Sequence, residues 1–193
     1  MVTIADATAE RWDDVVAVMG TRGEPPRCWC QWFRHGRPGF YATSLEQRRA
    51  ALQSQVDEPV PPGVLVYDET ERPSGWCAVA PRADYPRLTT YPMAAPTPDE
   101  EGLWAVTCFV VRVGARKRGL AEFLLDGAVG LARRHGARAV EAYPLDTSVR
   151  AASAGELRHG PLSVFLRAGF REVGERAAPA RPVVRLELGH RHR

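Results

Sequence analysis

The stretch Phe109-Val110-Val111-Arg112-Val113-Gly114-Ala115-Arg116-Lys117-Arg118-Gly119-Leu120-Ala121 decides the fold, because it joins a strand-like run directly to a helix-like run. The apolar run Leu103–Val111 is typical of a strand covered on both faces. Lys117–His135 has the apolar spacing of a helix, and Gly136 is expected to end it. A second strand is expected at Ala139–Tyr143, which makes a βαβ unit with parallel strands. The helix residues expected to face the core are Leu120, Phe123, Leu124, Ala128 and Leu131.

The turn between this strand and helix is suited to phosphate. Its small residues let a ligand approach the backbone closely, and the first N–H groups of a helix have no partner within the helix. A Rossmann turn needs G-x-G-x-x-G, and a Walker loop needs a second glycine followed by Lys and Ser or Thr. Gly119 is followed by Leu120 and Ala121, so both alternatives fail and a pyrophosphate site of another kind is predicted.

The rest of the chain predicts one mixed α/β domain over residues 1–193, in the order β-α-α-β-β-β-α-β-α-β-β. Ser44 and Gln47 form a possible capping box for the second helix. The long segment Ala83–Glu101 is rich in proline, and loops of this length are often functional. The other expected strands are Val2–Ala5, Gly63–Tyr67, Ser74–Ala80, Phe170–Gly174 and Val183–Leu188, and the other expected helices are Ala9–Met19, 44–55 and Pro161–Ala168.

The composition fits a globular protein of 193 residues, with 45% hydrophobic and 25% charged residues. No apolar run approaches the roughly 20 residues that span a bilayer, and the first residues do not resemble a signal peptide. We therefore expect a cytoplasmic protein without a membrane partner. The net charge of +3 does not indicate a nucleic-acid partner. Cys28 and Cys30 lie closer together than zinc ligands usually do, so reduced thiols and no metal are expected.

Two motifs together resemble the GNAT acyltransferases, the Gcn5-related superfamily. Arg116, Gly119 and Ala121 match motif A, a strand and short turn followed by Arg/Gln-x-x-Gly-x-Gly/Ala at the start of a helix. Phe165–Gly174 looks like motif B, and the order of elements agrees over about residues 1–188. The resemblance implies a GNAT fold, with a mixed central sheet flanked by helices. It also implies acetyl-CoA as co-substrate, and an acetyl group transferred directly to an amine in a ternary complex.

The same resemblance implies how coenzyme A would bind. The backbone N–H groups of Arg116, Lys117, Arg118, Gly119, Leu120 and Ala121 would hold the pyrophosphate. The three basic side chains either add charge there or form a solvated basic turn. The central strand, at Phe109, Val110 and Val111, would pair with the pantetheine arm where the two parallel strands separate.

The usual catalytic residues of the family are not matched. Phe165 stands where many relatives have a proton-donating tyrosine, and Ala105 and Thr107 stand where some have a glutamate base. Tyr143 and Glu141 are the catalytic candidates, as acid and base, against the alternatives of a packed aromatic and a salt-bridged carboxylate. Other nearby candidates are Cys108, Asp99, Glu100 and Glu101, for which an inert thiol and a charged loop are the alternatives.

Trp29 and Trp32 are the candidate acceptor-binding residues, or else part of a hydrophobic plug. The sequence is similar to a GNAT subgroup with Cys-Trp-Cys near the N-terminus and Glu-Ala-Tyr-Pro after motif A, which supplies no substrate. We expect the acetyl acceptor to be a small-molecule amine rather than a protein. The sequence is also compatible with a homodimer. The alternative function is a CoA-binding sensor or scaffold without catalysis.

Overall fold

The computed structural model describes residues 1–20, 22–92, 94, 101–153 and 155–189. Seven strands form one mixed sheet in the order β1-β2-β3-β4-β5-β7-β6. The pair β4–β5 is parallel, as predicted, and the other pairs are antiparallel. The strands are β1 Thr3–Asp6, β2 Gly63–Tyr67, β3 Pro73–Pro81, β4 Leu103–Val111, β5 Ala139–Ala142, β6 Arg171–Ala178 and β7 Arg181–Glu187.

The helices number more than the sequence predicted, because two short ones lie in the segment that follows α1. Each has a proline in its first turn, where the missing N–H is not needed. The predicted capping box of α4 is confirmed, since Ser44 and Gln47 each bond the other's backbone N–H. The helices are α1 Trp12–Met19, α2 Pro25–Cys28, α3 Arg37–Ala42, α4 Leu45–Val56, α5 Leu120–Arg134 and α6 Leu162–Arg167. No helix of the described residues has the length and apolar character needed to cross a bilayer.

Apolar clusters cover both faces of the sheet, as a central apolar strand requires. Helices α5 and α6 pack on one face, where Val106 and Phe109 of β4 join their cluster. Helices α1 and α4 pack on the other face, with Val110 of β4. A third cluster, around Phe33 and Tyr143, continues that second face towards β5 and β7.

A β-bulge at Thr107, halfway along β4, changes the face of the sheet to which the following side chains point. Ala78 of β3 lies opposite Cys108, and Val79 lies opposite Val106, so Thr107 is the extra residue. Because side chains alternate along a strand, one extra residue swaps the faces of everything that follows. Val106 and Phe109 therefore share a face although they are three positions apart, an odd spacing that would place them on opposite faces of a regular strand.

Helix α5 begins at Leu120, three residues later than predicted, because Lys117 and Gly119 adopt left-handed backbone conformations. Phe123 is a correction to the predicted core of this helix. Its side chain is 43% exposed, whereas Leu124 and Leu125 are buried. The buried apolar stripe of α5 therefore includes Leu125 and excludes Phe123, which the spacing had placed in the core.

Candidate active site

The turn from β4 to α5 presents backbone N–H groups to the outside. No N–H group of residues 117–121 has a hydrogen-bond partner within the described part of the chain. The N–H group of Arg116, which was also predicted to hold phosphate, instead donates to the Val113 carbonyl at 3.4 Å. Gly119 has φ +74° and caps α5 without a side-chain bond. A Cβ built at Gly119 would meet no atom within 4 Å. The predicted phosphate turn therefore has both free donors and open space, which is what an anion at a helix start requires.

The basic side chains of this turn are engaged in different ways. The Arg116 Nε donates to the carbonyl of Val111 at 3.1 Å, which folds that side chain back onto the end of β4. Arg118 forms an ion pair with Glu69 of the β2–β3 turn at 3.2 Å. Lys117 is exposed. The backbone, rather than the arginine side chains, is thus the part of the turn that is open to a ligand.

A gap opens between β4 and β5 directly below this turn. Their parallel pairing ends at Val106 opposite Ala142, next to the bulge at Thr107. Beyond that point β4 continues to Val111 with β3 on one side only. Phe109, Val110 and Val111 thus lie on an edge that β5 does not cover. A strand edge without a neighbouring strand offers backbone donors and acceptors to an extended ligand.

Glu141 and Tyr143 lie at the inner end of the gap and contact each other. The Tyr143 hydroxyl donates to Glu141 Oε1 at 2.6 Å, and both side chains are at most 2% exposed. Arg82, from the turn after β3, approaches Glu141 Oε1 to 3.3 Å. Arg185 of β7 approaches Glu141 Oε2 to 2.8 Å. The Glu141 carboxylate therefore links β5 to the turn after β3 and to β7, which are distant from it in sequence.

The surroundings of Tyr143 keep its hydroxyl protonated. Burial is the main cause that raises the pKa of Tyr143 well above its usual value, and the neighbouring charge and hydrogen bond of Glu141 act in the same direction. Arg82 opposes them. Tyr143 is therefore a hydrogen-bond donor at neutral and mildly alkaline pH.

The positions of the family's usual catalytic residues are occupied by core side chains. Phe165 is fully buried, and its ring meets those of Phe109 and Phe170 edge-on at 5.8 and 5.3 Å. Ala105 and Thr107 are also buried and carry no titratable group. Of the acidic residues before β4, Asp99 and Glu100 lie outside the described residues.

The two tryptophans predicted to line the acceptor site are largely covered. Trp29 is 5% exposed and stacks on Trp12 at 5.9 Å, inside the cluster between α1 and α4. Trp32 is half-buried, with the Arg87 guanidinium 3.8 Å from the centre of its ring. Trp29 thus belongs to a different apolar cluster from Tyr143. Trp32 is partly buried and packs at the margin of the cluster that contains Tyr143.

A different set of rings surrounds Tyr143, and sequence reasoning missed it. Phe33 lies 6.5 Å from Tyr143, 5.1 Å from Tyr91 and 5.8 Å from His159, measured between ring centres. We call Phe33, Tyr91, Tyr143 and His159 the aromatic box. The sequence signals were weak, because Tyr91 lies in the proline-rich loop and His159 in an irregular segment before α6.

The cysteines of the Cys-Trp-Cys motif are free thiols, and Cys30 is buried whereas Cys28 is partly buried. The Trp76 indole N–H donates to Cys30 Sγ at 3.2 Å. Hydrogen bonding from Cys30 lowers the pKa of the Cys108 thiol, although burial acts against it. Trp29 and Cys30 both have left-handed backbone conformations, with φ of 47° and 54°. No group of metal-ligating side chains occurs among the residues that the structure describes.

Solved structures share this fold over almost the full chain. A GCN5-related N-acetyltransferase from Kribbella flavida is 17% identical, covers 97% of this chain and 98% of its own, and has a TM-score of 0.55. YncA from Salmonella typhimurium, solved with its cofactor acetyl-CoA, is 14% identical, with 99% and 96% covered and a TM-score of 0.56. The PaiA N-acetyltransferase from Thermoplasma acidophilum, in complex with coenzyme A, is 10% identical, with 97% and 99% covered and a TM-score of 0.52.

No curated protein matches the chain significantly. The model of the acetyltransferase (GNAT) family matches residues 27–154. That range holds the β4–β5 gap, the phosphate turn, Glu141 and Tyr143. The chain belongs to the GNAT family of acetyltransferases.

Proposed function

We propose that this protein is an N-acetyltransferase that moves an acetyl group from acetyl-CoA directly to an amine. The pyrophosphate of acetyl-CoA binds at the N–H groups of residues 117–121. Its pantetheine arm runs along Phe109, Val110 and Val111, on the uncovered edge of β4. The amine approaches from the aromatic box, on the face of the sheet opposite α5.

The end of β4–β5 pairing at Val106 and Ala142 is the observation that supports this proposal most strongly. It leaves an unpaired edge of β4 between the free N–H groups at the start of α5 and the strand end that carries Tyr143. A cofactor with a phosphate at one end and a thioester at the other matches that order. Holding thioester and amine together at Tyr143 supplies most of the rate increase that such a transfer needs.

Tyr143 is the proposed acid of the reaction. Its hydroxyl donates to Glu141, and in the proposed step its proton passes to the sulfur of coenzyme A as the C–S bond breaks. The proton that the amine nitrogen loses as the C–N bond forms returns to Tyr143. The raised pKa keeps the phenol protonated and also makes it a weak acid, so the transfer requires the thiolate to form beside the hydroxyl. Glu141 is held by Arg82 and Arg185 and already accepts a hydrogen bond from the Tyr143 hydroxyl. This environment favours a positioning role for Glu141 over the role of base.

The acceptor is a small-molecule amine, because the rings around Tyr143 are largely buried and leave little room for a protein surface. Acetyl-CoA is the acyl donor, as for the acetyl-CoA-bound relative of the same fold. Four free cysteines agree with a reducing compartment, and we place the enzyme in the cytoplasm.

Replacing Tyr143 with Phe tests its role as acid. We expect Tyr143→Phe to lower kcat by about 10²-fold, a typical loss for a general acid, because the thiolate then leaves unprotonated. The dissociation constant of acetyl-CoA, measured by calorimetry, stays within about twofold, since Tyr143 does not contact the phosphates. Release of free thiol across a panel of primary amines measures kcat.

Tyr67→Phe is the matched control. The Tyr67 hydroxyl donates to Asp14 at 2.6 Å, the same length as the bond from Tyr143 to Glu141, but it lies at the opposite end of the sheet. The kcat and the dissociation constant of acetyl-CoA are both expected to remain unchanged in this variant. Undiminished turnover in Tyr143→Phe removes Tyr143 from the mechanism. Tight acetyl-CoA binding by the wild type without turnover of any amine contradicts the transferase itself.

A further inference from the structure

A buried nitrogen without a partner lies in the aromatic box. His159 is 8% exposed, and its Nδ1 accepts no hydrogen bond from any described residue. Leaving a buried polar atom unpaired costs roughly 1–3 kcal/mol, so native proteins rarely keep one without a reason. The proposed mechanism gives this atom no role.

The rest of the imidazole is firmly placed. The ring lies beside the backbone of Thr107, the bulge residue at the point where β4 and β5 separate, and an interaction with that backbone acts to raise the pKa of the imidazole. We take this interaction as a donation from Nε2 to the Thr107 carbonyl, because Nδ1 has no partner. His159 is therefore anchored beside the inner end of the gap.

His159 is neutral at physiological pH. Burial is the main cause that lowers its pKa to about 3, and the positive charges of Arg158 and Arg181 lower it further. A neutral imidazole has one donor and one acceptor nitrogen. With Nε2–H bonded to Thr107, Nδ1 offers a lone pair and needs an N–H or O–H donor.

The neighbouring side chains restrict what that donor can be attached to. The His159 ring meets Phe33 edge-on at 5.8 Å, and Phe33 in turn contacts Tyr91 and Tyr143. A molecule whose N–H reaches Nδ1 therefore places its carbon skeleton against aromatic rings. Such surroundings favour a flat or apolar skeleton.

We propose that His159 Nδ1 accepts a hydrogen bond from the amine of the acetyl acceptor, and that this acceptor is an amine with an aromatic or apolar body. The inference rests on the proposed function. It adds a binding residue and a substrate class to it. The hydrogen bond aims the nitrogen lone pair of the amine at the thioester beside Thr107.

The test compares wild type, His159→Phe and His159→Asn with two probes, 2-phenylethylamine and ethanolamine. Ethanolamine carries the same primary amine on a polar body without a ring. Wild type is expected to acetylate 2-phenylethylamine with at least tenfold higher kcat/KM than ethanolamine, because only the first places a ring against the aromatic box. His159→Phe keeps a ring but loses the acceptor, so its KM for 2-phenylethylamine rises about tenfold, while the acetyl-CoA dissociation constant is unchanged.

His159→Asn distinguishes binding from a purely structural role. Its amide oxygen can stand near the position of Nδ1, so the KM for 2-phenylethylamine is expected to stay within about threefold of wild type. A folded His159→Phe variant with unchanged KM overturns the inference. An equal loss of acetyl-CoA affinity in both variants also overturns it, because that result indicates damage to the gap. A preference of wild type for ethanolamine overturns the proposed substrate class.

Calorimetry with 2-phenylethylamine and the CoA-bound protein separates this inference from the proposed function. Amine binding that His159→Phe weakens, without turnover by wild type, supports the binding role while contradicting the transferase. The absence of both amine binding and turnover in wild type overturns the inference. Turnover by wild type that His159→Phe leaves intact upholds the transferase and overturns the role of His159.

Discussion

Gly119 sits at the start of α5 in a left-handed conformation, with φ +74° and open space where a Cβ would stand. Glycine adopts this conformation without strain, whereas other residues are disfavoured by roughly 1–2 kcal/mol. The same missing side chain lets a phosphate approach the backbone. Conformation and ligand access therefore both require glycine here. The two requirements are separated by also substituting a second glycine that has the same backbone conformation but lies outside the proposed phosphate turn.

Gly119→Ala is expected to weaken acetyl-CoA binding about tenfold or more, because the methyl group occupies the space of the pyrophosphate and the strained turn aims its N–H groups differently. Calorimetric titration with acetyl-CoA measures the effect. Gly136→Ala is the matched control. Gly136 ends α5, has φ +79° and also has no atom within 4 Å of a built Cβ.

Both substitutions are expected to lower stability by about 1 kcal/mol. Only Gly119→Ala is expected to change cofactor affinity. Equal affinities in the two variants would show that the turn does not hold the phosphates.

At the scale of elements, the short 3₁₀ helix Glu156–His159 carries a pH-sensitive group into the core. The pKa of His159 is lowered from 6.5 to about 3, so between these values the unfolded chain binds a proton that the folded chain does not. Stability therefore rises with pH across this window and is lost as pH falls through it. The expected slope approaches about 1.4 kcal/mol for each pH unit.

Urea unfolding between pH 4.5 and 6.5 measures this slope. The lowered pKa values of Glu156 (to about 2) and Asp146 act in the same direction, but at more acidic pH than this range. His159→Phe is expected to lose most of the slope. An equal slope in wild type and variant would show that His159 titrates normally in the folded protein.

The sequence predicted elements well where one pattern ran for many residues. The bounds of β4 were predicted correctly, since nine consecutive strand positions are apolar or small enough for burial. Helices α2 and α3, of four and six residues, are too short for a helical repeat to appear. The left-handed backbone conformations of Trp29 and Cys30 could not be predicted, because glycine, the usual signal for such a conformation, is absent from both positions. The stripe of α5 was misjudged at Phe123, because apolar spacing alone leaves a helix's rotation uncertain by one residue.

At the scale of the whole molecule, Glu141 ties the two halves of the sheet together. It lies on β5, while Arg82 follows β3 and Arg185 belongs to β7. These partners are 59 and 44 residues away in sequence. No local pattern could have predicted the network, although the hydrophobic patterns correctly predicted the seven strands in their chain order and the parallel β4–β5 pair.

Glu141→Gln is expected to lower the free energy of unfolding by roughly 3–5 kcal/mol, because it removes a buried charge that two guanidinium groups share. Glu122→Gln is the control, since its ion pair with Arg167 joins side chains that are both more than half exposed. That substitution is expected to cost less than about 1 kcal/mol. Thermal or urea unfolding distinguishes the two, and a similar small loss in both would contradict a structural role for the buried network.

A crystal structure with coenzyme A bound tests the central claim most directly, namely that the β4–β5 gap delivers the thioester to Tyr143. We predict that the pyrophosphate contacts the N–H groups of residues 117–121 and that the arm lies against the edge of β4. The sulfur is then expected within hydrogen-bonding reach of the Tyr143 hydroxyl, about 3–4 Å. A sulfur on the far side of β4 from Tyr143, or a coenzyme A bound outside the gap, would contradict the claim.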